Sequence, residues 1–253
     1  MRNAIIRTEA VTVEFDGFRA LNSLNFSVDE GELRVVIGPN GAGKTTLLDV
    51  ICGQVRPLGG RVLFKDQDIT GLPEYQVSGM GIGRKFQTPS VFDNLTLYEN
   101  MELSWHQNKR VFQSLFASVS PSTHEQILGV LEHVGLAEKT HEPAGALSHG
   151  EKQWLEIGMV IVQDPDLFLI DEPVAGMTDD ETERTAQLLL SIAQDQTILV
   201  IEHDMDFVKQ IAQKVTVLHE GALLCEGTVA EVQQNPQVVQ IYLGRERQAN
   251  AQG

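Results

Sequence analysis

The chain has 253 residues, of which 42% are hydrophobic and 21% are charged, a composition typical of globular proteins. Its formal net charge of -16 argues against nucleic acid or anionic lipid as a main partner, because both require a basic surface. No stretch approaches the roughly 18 apolar residues of a membrane span, and the N-terminus lacks a secretory signal. We therefore expect a cytoplasmic protein that does not insert into lipid by itself.

The first elements along the chain are predicted strands. Residues 5–15 and 20–28 carry partial alternation of apolar and polar side chains, and Asp16-Gly17 between them is typical of a hairpin turn. The run Val62–Phe64 is a candidate third strand of the same sheet. Phe15 lies at the end of the hairpin, where its ring is a candidate either for stacking on a base or for ordinary core packing.

A glycine-rich loop follows the apolar run Val35–Ile37 and precedes the helix-compatible run Leu47–Ile51. It matches the nucleotide phosphate-loop pattern, in which a glycine and four variable residues are followed by Gly-Lys-Thr. Glycines let backbone N–H groups converge on phosphate oxygens, and the helix start adds its positive dipole end. Lys44 is expected to reach the β- and γ-phosphates, and Thr45 to ligate Mg²⁺. The predicted phosphate-binding residues are Gly38, Pro39, Asn40, Gly41, Ala42, Gly43, Lys44, Thr45 and Thr46.

The middle of the chain is predicted to be helical. Thr96 and Ser122 each begin the capping-box spacing Ser/Thr-x-x-Glu, which is typical of a helix start. Apolar residues recur at helical spacing after Ser122, and Gly135 then provides a C-terminal stop. We therefore expect residues 90–160 to form a helical lobe inserted into an α/β core.

Two later apolar runs predict buried parallel strands, each followed by polar residues. The run Leu167–Ile170 ends in Asp171-Glu172, and the run Thr197–Ile201 is followed shortly by His203. Open α/β sheets place their ligand chemistry at the carboxyl ends of parallel strands. Asp171 is thus a candidate Mg²⁺ ligand, Glu172 a candidate base for an attacking water, and His203 a candidate partner of a γ-phosphate oxygen. A lone histidine is otherwise more often structural.

The run Leu147–Glu151 precedes an apolar helix expected over Trp154–Val162. Ser148 and Glu151 have the spacing of another capping box, which accounts for both residues through helix stability alone. The same helix N-terminus could also hold an anion. The residues by themselves leave both interpretations open.

In this order and spacing, the motifs resemble those of the ATP-binding subunits of ABC transporters over nearly the whole chain. The matching parts are the phosphate loop Gly38–Thr46, the Q-loop residue Gln87, the signature Leu147–Glu151, the Walker B run Leu167–Glu172 and the switch residue His203. The resemblance implies a P-loop NTPase fold with an α/β core, an N-terminal antiparallel β subdomain and an inserted helical subdomain. It implies one domain over residues 1–253, with the core over 1–89 and 161–244, the helical subdomain over 90–160 and a frayed tail over 245–253.

The same resemblance implies ATP and Mg²⁺ as cofactors. The implied metal-site residues are Thr45, Gln87 and Asp171, with Gln87 also sensing the attacking water. Gln87 therefore joins Glu172 and His203 among the residues implied in hydrolysis.

The resemblance also assigns contacts to the nucleotide outside the phosphate loop. Phe15 falls where the family stacks the adenine ring. In that family two subunits sandwich two ATP molecules, so Ser148 and Gly150 would contact the nucleotide of the opposite subunit.

Several stretches resemble the branch of the family that serves branched-chain amino acid and urea importers. They are Gly83–Pro89, Glu172–Met177, Ile201–Met205 and Tyr242–Gly244. The form of the signature over Ser148–Gln153 most resembles the ATPase subunit of urea importers. The resemblance therefore implies uptake of a small polar solute, urea, with a branched-chain amino acid as the alternative.

Two departures from the family pattern affect the expected partner. His149 and Glu151 replace a glycine and the glutamine of the usual Leu-Ser-Gly-Gly-Gln signature, and Met177-Thr178 replaces the usual Leu-Asp of the D-loop. Asp179 is out of register and does not inherit the D-loop role. Because Glu151 would bring negative charge near a partner's triphosphate, we expect weak homodimers and a related but distinct ATPase chain as partner.

The leading interpretation is an ATPase subunit that is bound to permease subunits at the inner face of the membrane and couples ATP hydrolysis to their transport. Phe92 would then form the rim of a groove for a permease helix, whereas Phe86 is expected to pack in the hinge. A soluble ABC ATPase of translation or DNA repair is the alternative, but that class carries duplicated cassettes, long coiled coils or basic surfaces. A phosphate-loop kinase or GTPase would not need the signature.

Overall fold

The computed structural model describes residues 3–85, 91–107 and 121–241. Its strands are β1 (Ala4–Phe15), β2 (Phe18–Asp29), β3 (Leu33–Ile37), β4 (Gly59–Phe64), β5 (Gln67–Asp68), β6 (Ile82–Lys85), β7 (Leu167–Asp171), β8 (Thr197–Ile201), β9 (Lys214–His219) and β10 (Ala222–Gly227). Its helices include α1 (Lys44–Ile51), α2 (Glu74–Ser78), α3 (Leu97–Gln107), α4 (Pro121–His133), α5 (His149–Ile161), α6 (Asp179–Ile192), α7 (Met205–Ile211) and α8 (Val229–Gln234). Within the described ranges, no helix combines the length and apolar character needed to cross a membrane.

The chain divides into two compact units. The first unit comprises Met1–Glu74 and Thr197–Gly253, and the second comprises Tyr75–Gln196. The helical segment expected over residues 90–160 lies inside the second unit, which also holds β6, β7 and α6. The boundaries expected from the sequence stay a prediction.

An antiparallel sheet with the strand order β2-β1-β4-β5 forms one part of the first unit. Strands β1 and β2 meet at the pair Phe15 and Phe18. The two residues between them, Asp16 and Gly17, have φ angles of 50° and 84°. Left-handed backbone at both positions is the conformation that a tight type I′ hairpin turn requires. The predicted hairpin is confirmed, and the expected third strand is β4, which pairs with β1.

The second sheet of the first unit contains the parallel strands that lead to the phosphate loop. Strand β3 pairs in parallel with β8 on one side and β9 on the other, and β10 adds to β9 as an antiparallel edge. Every residue of β3 and β8 is buried, as expected of strands covered on both faces. Because Val36 pairs with Ile201, the carboxyl ends of the two strands lie side by side. The phosphate loop and the His203 segment therefore follow neighbouring strand ends on the same side of the sheet.

The second unit contains the parallel pair β6 and β7 with helices α3 to α6. Residues with no solvent exposure recur at helical spacing, including Leu97 and Met101 on α3 and Ile127 and Leu131 on α4. Helix α4 ends just before Gly135, which adopts φ +74° and confirms the predicted stop.

One of the two predicted helix starts in this unit is confirmed and the other is wrong. The backbone N–H of Glu99 donates to Thr96 Oγ1 at 3.2 Å, and the Thr96 N–H donates to Glu99 Oε2 at 2.7 Å, which is a capping box. Ser122 is not a cap, because α4 already includes Pro121 and Ser122 lies within the helix. Proline is favoured in a first helical turn, where its missing N–H leaves no hydrogen bond unmade.

Candidate nucleotide-binding site

The phosphate loop connects β3 to α1 in the first unit, and the lysine that follows it donates hydrogen bonds back to the loop backbone. Lys44 is buried, and its Nζ donates to the carbonyl oxygens of Gly38 at 2.8 Å and Pro39 at 3.2 Å. Helix α1 begins at Lys44, and Gly43 at its N-cap adopts φ +97°. The predicted sequence of strand, loop and helix is therefore confirmed in the local structure.

Two glycines of the loop are required by close approach of neighbouring backbone. A Cβ on Gly38 would lie 2.3 Å from the carbonyl oxygen of Leu218, and a Cβ on Gly43 would lie 2.4 Å from that of Ala20. Either contact is too close for any side chain. The loop is thus a backbone cradle in front of a helix N-terminus, which is the arrangement that binds phosphate. Thr45, the expected Mg²⁺ ligand in the loop, is exposed on the first turn of α1.

Phe15 and His203, also in the first unit, both present exposed side chains. Phe15 is 47% exposed, so the core-packing interpretation is wrong and the ring face is accessible. The His203 side chain is 64% exposed, and its Nδ1 lies 3.3 Å from Glu202 Oε2. The same Glu202 oxygen accepts the His203 backbone N–H at 2.6 Å, which fixes the backbone of this residue just after β8. Asp204 then caps α7 by accepting two backbone N–H groups.

Asp171 and Glu172 end strand β7 in the second unit. Asp171 is buried, and Arg84 Nη2 on the neighbouring strand β6 lies 3.7 Å from its Oδ2. Glu172 is partly exposed and adopts a left-handed backbone with φ +46°. Left-handed backbone at a non-glycine residue is uncommon and often marks a functional position.

Strand β6 carries two charged residues that the sequence analysis missed. Arg84 contacts Asp171, and the fully buried Lys85 lies 3.7 Å from Glu156 on α5. The sequence signal for these contacts was the pair of consecutive cations Arg84-Lys85 in a short, otherwise apolar run. A buried strand can carry two such charges only when anionic side chains lie opposite them. Gln87, which follows shortly after, lies outside the described residues, so its expected roles stay predictions.

The signature begins α5 with a complete capping box. The Glu151 N–H donates to Ser148 Oγ at 3.2 Å, and Glu151 Oε2 accepts the Ser148 N–H at 3.0 Å. The other carboxylate oxygen, Oε1, accepts from Lys139 Nζ at 2.7 Å. Burial alone would raise the pKa of Glu151, but the hydrogen bonds from Lys139 and Ser148 outweigh it and hold that pKa below its ordinary value. The negative charge of Glu151 is therefore compensated by Lys139 within the same subunit.

Two further signature residues, His149 and Gly150, contact the beginning of α6 and the loop before it. His149 Nε2 lies 3.1 Å from the carbonyl oxygen of Ala175. Gly150 is required by packing, because a Cβ there would lie 2.3 Å from Glu181 Oε1. Glu181 itself completes the capping box of α6 with Thr178, and their spacing is again Ser/Thr-x-x-Glu.

Comparison with known proteins decides the family. The ABC transporter family matches residues 21–175, which is more than half of the chain. The chain belongs to the ABC transporter ATPases. A second family match, to branched-chain amino acid ATP-binding cassette transporters, covers residues 222–247 near the C-terminus.

Curated relatives place this ABC ATPase among importer subunits. The high-affinity branched-chain amino acid transport ATP-binding protein LivG of Escherichia coli is 33% identical over 96% of this chain and 99% of its own length. BraF of Pseudomonas aeruginosa, a protein of the same description, is also 33% identical over 96% of this chain and 99% of its own. The chain is therefore the ATP-binding subunit of an ABC importer.

Solved structures support the same assignment of fold. An ATP-binding cassette of an ABC transporter in its ADP conformation is 31% identical, with a TM-score of 0.84 over 96% of this chain and 99% of that one. The cassette cbiO1 of Clostridium perfringens, part of an ABC transporter complex, is 26% identical, with a TM-score of 0.80 over 96% of this chain and 97% of that one. The α/β ABC ATPase fold expected from the motifs is confirmed.

Proposed function

We propose that the subunit binds Mg²⁺–ATP. In the first unit, the backbone of Gly38–Thr46 and the ammonium of Lys44 hold the phosphates, and the Thr45 hydroxyl ligates Mg²⁺. Phe15 stacks on the adenine ring, which its 47% exposure allows. By the same proposal, Asp171 supplies the protein carboxylate on the metal. The close-packed glycines of the loop and the buried carboxylate at the end of β7 support this proposal.

The metal assignment fits the chemistry of the donors present. In residues 3–85, 91–107 and 121–241, no group of three or more His, Cys, Asp or Glu side chains could hold an ion by itself. Magnesium does not need such a cage, because it commonly takes one or two protein oxygens together with substrate phosphates and water. A hydroxyl and one carboxylate are thus sufficient protein ligands.

We assign hydrolysis to three residues. Glu172 accepts a proton from the attacking water, His203 donates a hydrogen bond to a γ-phosphate oxygen, and Gln87 senses the metal and the water. Ser148 and Gly150 contribute to the nucleotide site of a second cassette. The exposed His203 ring and the partly exposed Glu172 carboxylate are both accessible for these roles.

We propose urea as the imported solute. The observation that carries this proposal is the signature form Ser148–Gln153, which resembles that of urea-importer ATPases. A branched-chain amino acid is the second candidate, because LivG and BraF are described as serving that transport. The subunit would lie at the inner face of the membrane, bound to permease subunits.

Uptake by the assembled importer distinguishes the two solutes. The subunit is co-expressed with its candidate permease and binding-protein partners in cells that lack their own urea and leucine importers. Labelled urea should accumulate, and the Glu172→Gln variant should abolish that accumulation. Leucine uptake with no urea uptake would overturn the urea proposal and support the second candidate.

We also propose that the second cassette is a related but distinct chain. The expected repulsion between Glu151 and a partner's triphosphate no longer supports this proposal, because Lys139 compensates the charge of Glu151 at 2.7 Å. The departures from the family pattern at His149 and Met177 remain as the support. Sedimentation of Glu172→Gln with ATP tests the proposal, since a tight homodimer formed without any other chain would contradict it.

A further inference from the structure

His149 stands where the usual family signature has a glycine, and its side chain makes a contact that glycine cannot make. Its Nε2 lies 3.1 Å from the carbonyl oxygen of Ala175. A carbonyl oxygen only accepts hydrogen bonds, so this hydrogen bond requires the tautomer with its proton on Nε2, although Gln153 Nε2 also lies 3.4 Å from the same nitrogen. The ring also packs over Gly176, where an added Cβ would lie 3.6 Å from His149 ring atoms.

The segment that receives this contact, Glu172–Met177, is the loop that follows the proposed base. Glu172 at its start has φ +46°, and Gly176 near its end has φ +75°. Its own backbone hydrogen bonds are few: Ala175 N–H donates to Glu172 O at a long 3.4 Å, and Met177 N–H donates to Val174 O at 3.1 Å. A left-handed backbone at a non-glycine residue persists only when surrounding contacts hold it.

The signature turn provides a rigid support for such a contact. The capping box of Ser148 and Glu151 fixes the first turn of α5, and the Lys139 ion pair anchors the same carboxylate. On the other side, Gly150 packs directly against Glu181, at the start of α6. The loop Glu172–Met177 is thus held at its far end by α6 and in its middle by the imidazole.

We propose that His149 is a positioning residue for hydrolysis, acting through the Ala175 carbonyl to hold the loop backbone that aims the Glu172 carboxylate. The inference rests on the proposed role of Glu172 as the base. It assigns to His149 a function within its own subunit, in addition to the contact with a second cassette that the neighbouring Ser148 makes.

Three substitutions separate the hydrogen bond from the bulk of the ring. His149→Gln keeps an N–H donor at a similar distance from the backbone and should retain most activity. His149→Phe keeps the ring packing on Gly176 but removes the donor, and His149→Asn keeps a donor that is too short to reach Ala175. Phe and Asn should each lower kcat by about ten- to a hundredfold with little change in KM, because the base is misaligned while ATP binding is not.

A second readout follows the loop itself in the absence of nucleotide. The amide protons of Ala175 and Met177 both donate within the loop, so their hydrogen exchange reports how firmly it is held. Exchange at these two amides should accelerate in His149→Phe and His149→Asn and stay near the parental rate in His149→Gln. The matched control is His124→Phe, which removes another exposed histidine hydrogen bond of the same unit, to Tyr98 Oη at 2.9 Å. This control should change neither kcat nor the exchange of the loop amides.

The outcomes distinguish this inference from the assignment of the base. Parental kcat and parental loop exchange in His149→Phe would overturn the role of His149 while leaving Glu172 untouched. Equal losses in His149→Gln and His149→Phe would show that an N–H donor at this position does not preserve hydrolysis, which would also overturn it. Parental hydrolysis in Glu172→Gln would instead contradict the proposed base, whatever the His149 variants do.

Discussion

Lys85 and Glu156 form an ion pair in the interior of the second unit. Lys85 Nζ lies 3.7 Å from Glu156 Oε2, and the two side chains are 0% and 6% exposed. The pair ties the end of β6, just before the Q-loop segment, to the signature helix α5. Both charges are largely removed from water, so each is stabilised by the opposite charge of the other.

Removing one member of this pair should destabilise the subunit more than removing both. Lys85→Met leaves the carboxylate buried without that cation and should lower the free energy of unfolding by about 3–5 kcal/mol. The double variant Lys85→Met with Glu156→Leu should recover most of that loss. Chemical denaturation measures both values. A matched exposed pair is Lys209 with Asp206, 2.7 Å apart, where Lys209→Met should lower the free energy of unfolding far less than Lys85→Met does. Equal losses in the single and double variants would contradict the account.

A second charged cluster, built around the buried Arg34, makes stability depend on pH. Arg34 on β3 is buried and donates to Glu226 on β10, which also accepts from Thr216 Oγ1 at 2.9 Å and Lys214 Nζ at 3.3 Å. Burial alone would raise the pKa of Glu226, but the Arg34 charge and these hydrogen bonds outweigh it and bring that pKa below its ordinary value of 4.5.

The sign of the pH effect follows from the lowered pKa of Glu226. Its contribution to stability is fully present above the ordinary value of 4.5 and is lost as the pH falls through the lower folded value. Glu226→Gln should therefore reduce the free energy of unfolding at pH 7 by about 1 kcal/mol, since the side chain is 27% exposed and solvent screens part of the interaction. The difference from the parent should shrink as the pH falls below that ordinary value. Denaturation curves at a series of pH values test this, and a difference that grows toward acid would contradict it.

The sequence predicted most of the fold because local patterns and tertiary context agree in this chain. The hairpin turn, the phosphate loop, the two strand ends and three capping boxes each carry a short-range signal with a physical cause. The predicted start of α4 at Ser122 was wrong, because proline is itself favoured in a first helical turn and Pro121 is already part of the helix.

The partners of the site residues were harder to predict. The contacts of Arg84 with Asp171, Lys139 with Glu151 and His149 with Ala175 join segments far apart in the chain. No periodicity or spacing in the sequence specifies which charges meet, so the compensation of Glu151 emerged only from the structure. The exposure of Phe15 likewise depends on the tertiary surroundings and not on its strand.

Phe92 provides the prediction for docking to the permease. Its side chain is 51% exposed and therefore lies outside the core, while the buried Asn100 fixes its backbone by accepting its N–H at 2.8 Å. An apolar anchor presented in this way can contribute about 2 kcal/mol or more to docking. Phe92→Asp should therefore keep the melting temperature and ATP affinity but abolish assembly with permease subunits.

The control for Phe92 is a second exposed aromatic residue of the same unit. Tyr75 is 75% exposed, and Tyr75→Asp should leave assembly intact. Pull-down of tagged permease subunits compares the two variants. Normal assembly of Phe92→Asp would show that the docking surface lies elsewhere, and equal losses in both variants would indicate a non-specific effect of surface charge.

The central claim, that this subunit hydrolyses ATP with Glu172 as the base, is tested most directly by Glu172→Gln in the purified protein. ATP affinity should be unchanged, whereas hydrolysis should fall by about 10²–10⁴-fold, because the amide can hold a water but cannot take its proton. Lys44→Ala is the contrasting variant, since loss of a charge-assisted phosphate contact should weaken ATP binding itself. Hydrolysis by Glu172→Gln at the parental rate, with ATP binding intact, would contradict the account.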